Sequence, residues 1–231
     1  MMNKLQTKLD FLLKKYSVED SPVLISDREF SLGDKVYPIL KHRTERKFVE
    51  MKNLVNNGTL DGVSVMRSSR ITSRGKDVYE ELYREIDICR YVLDREIKTV
   101  MVFENGNVLN AILSTQDGVV CTIEIAATLN DCELPKEKHE VIAKRGTVCD
   151  IVVDAQLRQD SVYIFGEKNE AYTDVDFELY GLTYDEINVV RNVFFVARDK
   201  EYEKAMANHN VTLEILKLAK KSAISGEREV M

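Results

Sequence analysis

Between residues 99 and 127 the apolar side chains fall at every second position, and no other stretch narrows the fold as much. In segments 99–104, 108–114 and 119–127 the period is two, with Val100 and Val102, Leu109, Ala111 and Leu113, and Val119, Cys121, Ile123 and Ile125 each on one face, the pattern of strands. Asn105-Gly106-Asn107 separates the first two and Asp117-Gly118 the second two. Asn, Asp and Gly tolerate the positive φ that tight hairpin turns demand, so the three strands must run antiparallel. In the last of them Val119, Cys121, Ile123 and Ile125 fall on one face, and Thr122, Glu124 and Ala126 on the other. Residues 140–153, interrupted near Arg145-Gly146, and 161–165 continue the meander, and 63–67 is a further strand.

Around this sheet the period lengthens to that of helices. Leu5, Leu9, Leu12 and Leu13 share one face of 3–16. In 44–56, Phe48, Met51 (or Lys52), Leu54 and Val55 are expected inward, and Asn57-Gly58 supplies the stop. Val78, Leu82, Ile86, Cys89 and Leu93 form the clearest stripe, over 76–93. Thr183-Tyr184-Asp185-Glu186 fits a capping box ahead of helices at 184–205 and 211–224. Short β-like runs at 23–26 and 36–40 flank a turn at Gly33-Asp34. The sum is an α+β fold: a large, mostly antiparallel sheet with helices packed on one face. The other face stays partly apolar, so a homo-oligomer that pairs through the sheet face is expected.

Composition removes several function classes. With 33 basic and 39 acidic residues the net charge is −6, so the basic footprint of a nucleic-acid binder is missing. No apolar run approaches the roughly 20 residues of a membrane span. The polar start Met1-Met2-Asn3-Lys4-Leu5-Gln6 is unlike a signal peptide, and a cytoplasmic location is expected, without nucleic-acid or membrane partners. Cys89, Cys121, Cys132 and Cys149 form no Cys-x-x-Cys pair, so no disulfide framework is expected, and Cys89, Cys121 and Cys149, which lie in apolar segments, read as small buried thiols. His139-Glu140 opens a His-Glu-x-x-His pattern, but Ala143 occupies the last position, so no metal site is expected.

Phosphate cradles need closely spaced glycines so that the backbone can approach the anion at a helix N-terminus. Here no two glycines lie two positions apart, and no Gly-x-x-x-x-Gly-Lys exists. Gly58 and Gly62 flank Leu60 where a hydrolase elbow would need serine. The acidic residues Glu80, Glu81, Glu85 and Asp87 read as a solvated helix face partnered by Arg84 and Arg90. Arg43, Arg46, Lys47, Arg67, Arg70 and Arg74 read as a solvated basic surface, with an anion contact as the alternative. Asp87, beside the inward Ile86 and one turn after Arg84, is the candidate for binding a polar ligand.

From about residue 37 onward a series of motifs resembles the Gfo/Idh/MocA oxidoreductases, the glucose–fructose oxidoreductase and inositol dehydrogenase family. Pro38 to Arg43 (PILKHR) is similar to the strand that closes that family's dinucleotide domain. Phe48 to Val63 resembles its entry to the second domain, with Asp61 where a second glycine is usual. Arg84 to Val100 resembles its His-x-x-Asp helix and the strand after it, and Lys144-Arg145-Gly146-Thr147 its Lys-x-Gly-Thr turn. Leu213 to Val230 resembles its C-terminal helix, with Ser222 and Gly226 in place.

The resemblance implies that 44–231 is the family's C-terminal α/β domain and that 1–43 is a short, truncated Rossmann-like remnant of its dinucleotide-binding domain. It implies hydride transfer between NAD(P) and a sugar or cyclitol. Two departures bear on that activity. Residues 27–29 (DRE) are a poor substitute for the family's Glu-Lys-Pro segment. Arg84 takes the place of the catalytic histidine, while Asp87 keeps the aspartate. Histidine exchanges protons near neutral pH; arginine stays charged, though it can still hold an oxyanion. No catalytic residue is therefore assigned, and Arg84, Asp87 and Arg43 remain ligand-binding candidates for a small sugar-like molecule. No cofactor is expected for this chain alone, and NAD(P) only if a partner supplies the dinucleotide fold. Three readings follow: a non-catalytic metabolite-binding or self-associating remnant, a substrate-binding half completed by another chain, and an unrelated oligomeric α+β scaffold.

Overall fold

The computed structural model describes residues 2–131, 133–150, 161–165, 170–173 and 178–231. Cys132 and residues 151–153 of the strand expected at 140–153 lie outside them. The chain opens with α1 (Met2–Lys15), β1 (Val23–Leu24), β2 (Glu29–Leu32), β3 (Lys35–Pro38) and a 3-10 turn at Lys41–Thr44. There follow α2 (Arg46–Asn56), β4 (Val63–Ser73), α3 (Val78–Leu93), β5 (Ile97–Asn105), β6 (Val108–Thr115) and β7 (Val120–Leu129). The remainder is β8 (Lys136–Ala143), β9 (Gly146–Cys149), β10 (Ser161–Phe165), β11 (Glu170–Thr173), α4 (Tyr184–Asp199), α5 (Tyr202–Ser225) and β12 (Glu229–Val230).

Two compact units result, one from Met1–Glu45 with Val175–Val211 and the other from Arg46–Asp174 with Thr212–Met231. The unit that begins at residue 1 thus also takes a second, later segment, which the sequence reading placed in the second domain.

In the first unit, the leucine stripe of α1 packs with Phe30, Tyr37 and the α4 residues Val189, Val190 and Val193. Strands β1, β2 and β3 pair antiparallel in that order, without the parallel crossovers of a dinucleotide fold. Register sets Leu24, Phe30 and Tyr37 side by side on the buried face. Gly33, at φ +59°, makes the β2–β3 turn. The capping box at Thr183 and Glu186 is present in full. The helix break after it falls at Lys200, not at 206–210 as the sequence suggested. Lys200 adopts the left-handed conformation, and Glu201 N–H reaches back to Val196 O, a Schellman stop made without glycine.

Among the described residues of the second unit, nine strands form one sheet in the order β11-β10-β9-β8-β4-β7-β6-β5-β12. Among the described strands β4 is central, pairing antiparallel with β8 and parallel with β7. Both hairpins read from sequence are present, with Gly106 and Gly118 at positive φ. The Lys144-Arg145 turn joins β8 to β9 through the pair Ala143 and Gly146. Val119, Cys121, Ile123 and Ile125 are buried, as their alternation required, and α3 lies against β7. There Cys89 shares a hydrogen bond with Cys121 and its thiol is pushed up by that bond and by burial. On the opposite face Phe103, Val108 and Ile112 remain exposed.

Candidate functional site

The helix-facing side of β4 and β8 carries charge where a core would ordinarily be apolar. Register places Ser68 beside His139 and Arg70 beside Glu137. Glu81, Arg84 and Glu85 occupy neighbouring turns of α3, next to its apolar stripe. Lys47 comes from the first turn of α2, and Asp150 directly follows β9, where its N–H donates to His139 O. Two helices and two strands thus converge on one buried, polar centre.

His139 sits at its middle with no exposure. Its Nδ1 is 2.7 Å from Asp150 Oδ2 and its Nε2 is 2.8 Å from Glu85 Oε2. Its backbone N–H donates to Asp150 Oδ1, and the Ser68 hydroxyl donates to Glu85 Oε2. Phe48 meets the imidazole edge-on, with ring centroids 4.7 Å apart. Lys47 donates to Asp150 Oδ2 at 3.1 Å and also to Glu137. Arg70 bridges Glu81 and Glu137, and Arg84 bridges Glu85 and Glu137. Burial alone would disfavour every one of these charges, so each depends on its neighbours. Burial acts to raise the Glu85 carboxyl, but Arg84 and His139 prevail and hold it well below the usual carboxylate range. Glu137 is likewise held low against burial by Arg84, Lys47 and Arg70, and Asp150 by Lys47 and His139. Burial pulls the His139 imidazole down, yet Asp150 and Glu85 push it up to about 9.

These positions correct three expectations. Glu85 and Asp87 are fully buried, so only Glu80, with half-buried Glu81, remains of the solvated acidic face expected on α3. Lys47, 2% exposed, points inward toward two carboxylates and is not part of a solvated basic surface, while Val55, expected inward, is half-buried. Arg70 belongs to the buried centre and not to a solvated basic surface. Of the named candidates, Arg84 joins this centre. Asp87 lies in a second buried network of the same unit, where it accepts from Thr212 Oγ1 at 2.9 Å and faces Arg90 at 3.8 Å. Arg43 lies in the 3-10 turn of the other compact unit. Sequence reasoning missed Glu85, Glu137, His139 and Asp150. The available signal was polar residues at Ser68 and Arg70 in a central strand, matched in parity by Glu137 and His139.

Chemically, the arrangement stores charge. Arg84 cannot exchange a proton, and its guanidinium already faces two carboxylates. Gly33 turns an antiparallel hairpin and does not open a helix.

No protein-family profile matches this sequence, and no curated protein matches it significantly. Solved structures do match. An oxidoreductase from Agrobacterium radiobacter, in complex with NAD+, L-tartaric acid and magnesium, superposes with a TM-score of 0.65 at 14% identity, over 82% of this chain and 63% of that one. A myo-inositol dehydrogenase candidate from Sinorhizobium meliloti gives 0.61 at 15% identity, over 83% and 64%. The fold is that of the Gfo/Idh/MocA oxidoreductases. A levoglucosan dehydrogenase with NADH and levoglucosan shares it, at a TM-score of 0.65 and 11% identity over 83% and 64%. This Gfo/Idh/MocA-fold chain spans less than two thirds of each of these three proteins. Among its described residues no helix is long and apolar enough to cross a membrane.

Proposed function

We propose that this chain does not carry out redox turnover unaided and acts as a cytoplasmic, self-associating domain of oxidoreductase descent. The observation that carries this reading is Arg84. At the position of the family's proton-exchanging histidine stands a permanent cation, itself paired with Glu85 and Glu137. Both terminal nitrogens of Arg84 already face carboxylates and its side chain is mostly buried, which favours self-association over metabolite binding. The surface for it is the sheet face away from α3, where Phe103, Val108 and Ile112 are exposed on adjacent strands.

Light scattering on the purified chain should then give a dimer, and Ile112→Lys should shift it to monomer. Calorimetric titration with NAD or NADP should give no heat of binding. A strict monomer at high concentration refutes the self-association, and micromolar affinity for either dinucleotide refutes the lack of a cofactor. A second reading draws support from the neighbours bound to NAD+ and NADH: a substrate-binding half that another chain completes. It requires a second polypeptide that co-purifies and confers dinucleotide binding.

A further inference from the structure

Both ring nitrogens of His139 face carboxylate oxygens, at 2.7 and 2.8 Å. A neutral imidazole has only one N–H and would turn a lone pair toward one of those anions; an imidazolium donates to both. Asp150 Oδ1 is already occupied by the His139 backbone N–H, and Glu85 Oε2 by the Ser68 hydroxyl. Both carboxylates are thus arranged as acceptors. Among the described residues the groups that meet here are Lys47 from α2, Glu81, Arg84 and Glu85 from α3, Arg70 from β4, Glu137 and His139 from β8, and Asp150 after β9. Without a proton on His139, the centre holds three cations against four anions. With it, the two signs balance.

We propose that His139 is the fourth cation of a charge-neutral latch that fastens α2 and α3 to β4 and β8 and that loosens when this one proton is lost. The latch works because the centre is buried. An excess anion in water is solvated, whereas among buried carboxylates its repulsion of its neighbours is screened far less. Loss of the proton leaves one N–H for two carboxylates, so either Glu85 on α3 or Asp150 after β9 meets a lone pair, and Asp150 keeps Lys47 on α2 as its cation while Glu85 keeps Arg84 and Glu137 keeps Lys47, Arg70 and Arg84. The sign of the dependence follows from linkage. A histidine whose ordinary value of 6.5 rises to about 9 when closed contributes fully below 6.5, and the contribution is lost as the pH climbs through about 9. Between those limits opening should become roughly tenfold easier for each pH unit.

The test uses the full chain labelled with 15N-histidine. At pH 7 both His139 ring nitrogens should show protonated shifts, and one proton should leave near pH 9. Hydrogen exchange of the peptides covering α2 and α3, corrected for base catalysis, should accelerate about tenfold per pH unit from 7.5 to 9, while α1 shows no such acceleration. His139→Gln should abolish that dependence, and adding Asp150→Asn to it should restore protection by returning the centre to balance. An unprotonated His139 nitrogen at pH 7, or corrected exchange in α2 and α3 that is flat with pH, overturns the proposal. Both measurements are made on the wild-type chain, so they stand even if a variant fails to fold.

Discussion

Replacing Lys47 by methionine isolates the electrostatic role of the buried centre. Methionine keeps most of the aliphatic stem, so little apolar packing is lost. What disappears is the one ammonium that serves both Asp150, at 3.1 Å, and Glu137. Lys47 is 2% exposed, and water cannot replace it. Breaking a buried pair by removing one partner costs about 3–5 kcal/mol, a large part of the roughly 5–15 kcal/mol that holds an ordinary domain folded. At about 2–4 °C per kcal/mol for a chain of this size, the midpoint should fall by on the order of 10 °C. The sequence contains no tryptophan, so urea unfolding is best followed by far-ultraviolet circular dichroism. The deficit should shrink in acid. Lys47 helps to hold Asp150 low with His139 and Glu137 low with Arg84 and Arg70, and protonating them removes the anions that the substitution leaves short of one cation. A loss at pH 7 below about 1 kcal/mol, or a deficit equal at pH 7 and pH 4, would mean that Lys47 does not balance these carboxylates in the way its position requires.

Three further outcomes can be checked on the same footing. The wild-type chain should itself lose stability in acid, because Glu85, Glu137 and Asp150 lie below their ordinary range; the contribution is present above roughly pH 4 and fades as the pH falls through the lowered values, as circular dichroism titration would show. Thr183→Ala should cost about 1 kcal/mol in urea unfolding by removing half of the α4 capping box. Ser222→Ala should cost about 1–3 kcal/mol, since Ser222 Oγ both accepts from Val102 N–H and donates to Glu227 O; hydrogen exchange at Val102 would report the orphaned amide.

The fold was legible where one physical rule acted alone. Alternation and glycine turns located β5 to β7, and the four-residue apolar step located α3. The short strand β2 escaped because only Phe30 of its four residues is deeply buried, too few positions to establish a period. β4 was cut short at Arg67 for a deeper reason. Ser68 and Arg70 face the helices, and a polar residue at a core position looks like the end of a strand unless its partner is known. That partner lies across a register that brings 68 to 139 and 70 to 137. For the same reason the buried centre could not be seen in advance. The relation among residues 47, 85, 139 and 150 exists only after the sheet forms. Arg84 was singled out by its place in a familiar motif, and the structure shows what sequence could not, that its charge is matched internally by Glu85 and Glu137.

The place of β4 in the sheet has a consequence for synthesis. Its hydrogen-bonding partners, β7 and β8, emerge from the ribosome later than its helix-side neighbours α2 and α3, since α3 and the two strands β5 and β6 are translated before them. Until then β4 offers both backbone edges to any extended polypeptide nearby. The outer strand β5 waits longer still, because β12, which covers it, is translated after both C-terminal helices. Such late, long-range pairing slows folding and prolongs the exposure of unpaired edges, so nascent chains stalled before residue 229 should be the form most in need of a chaperone.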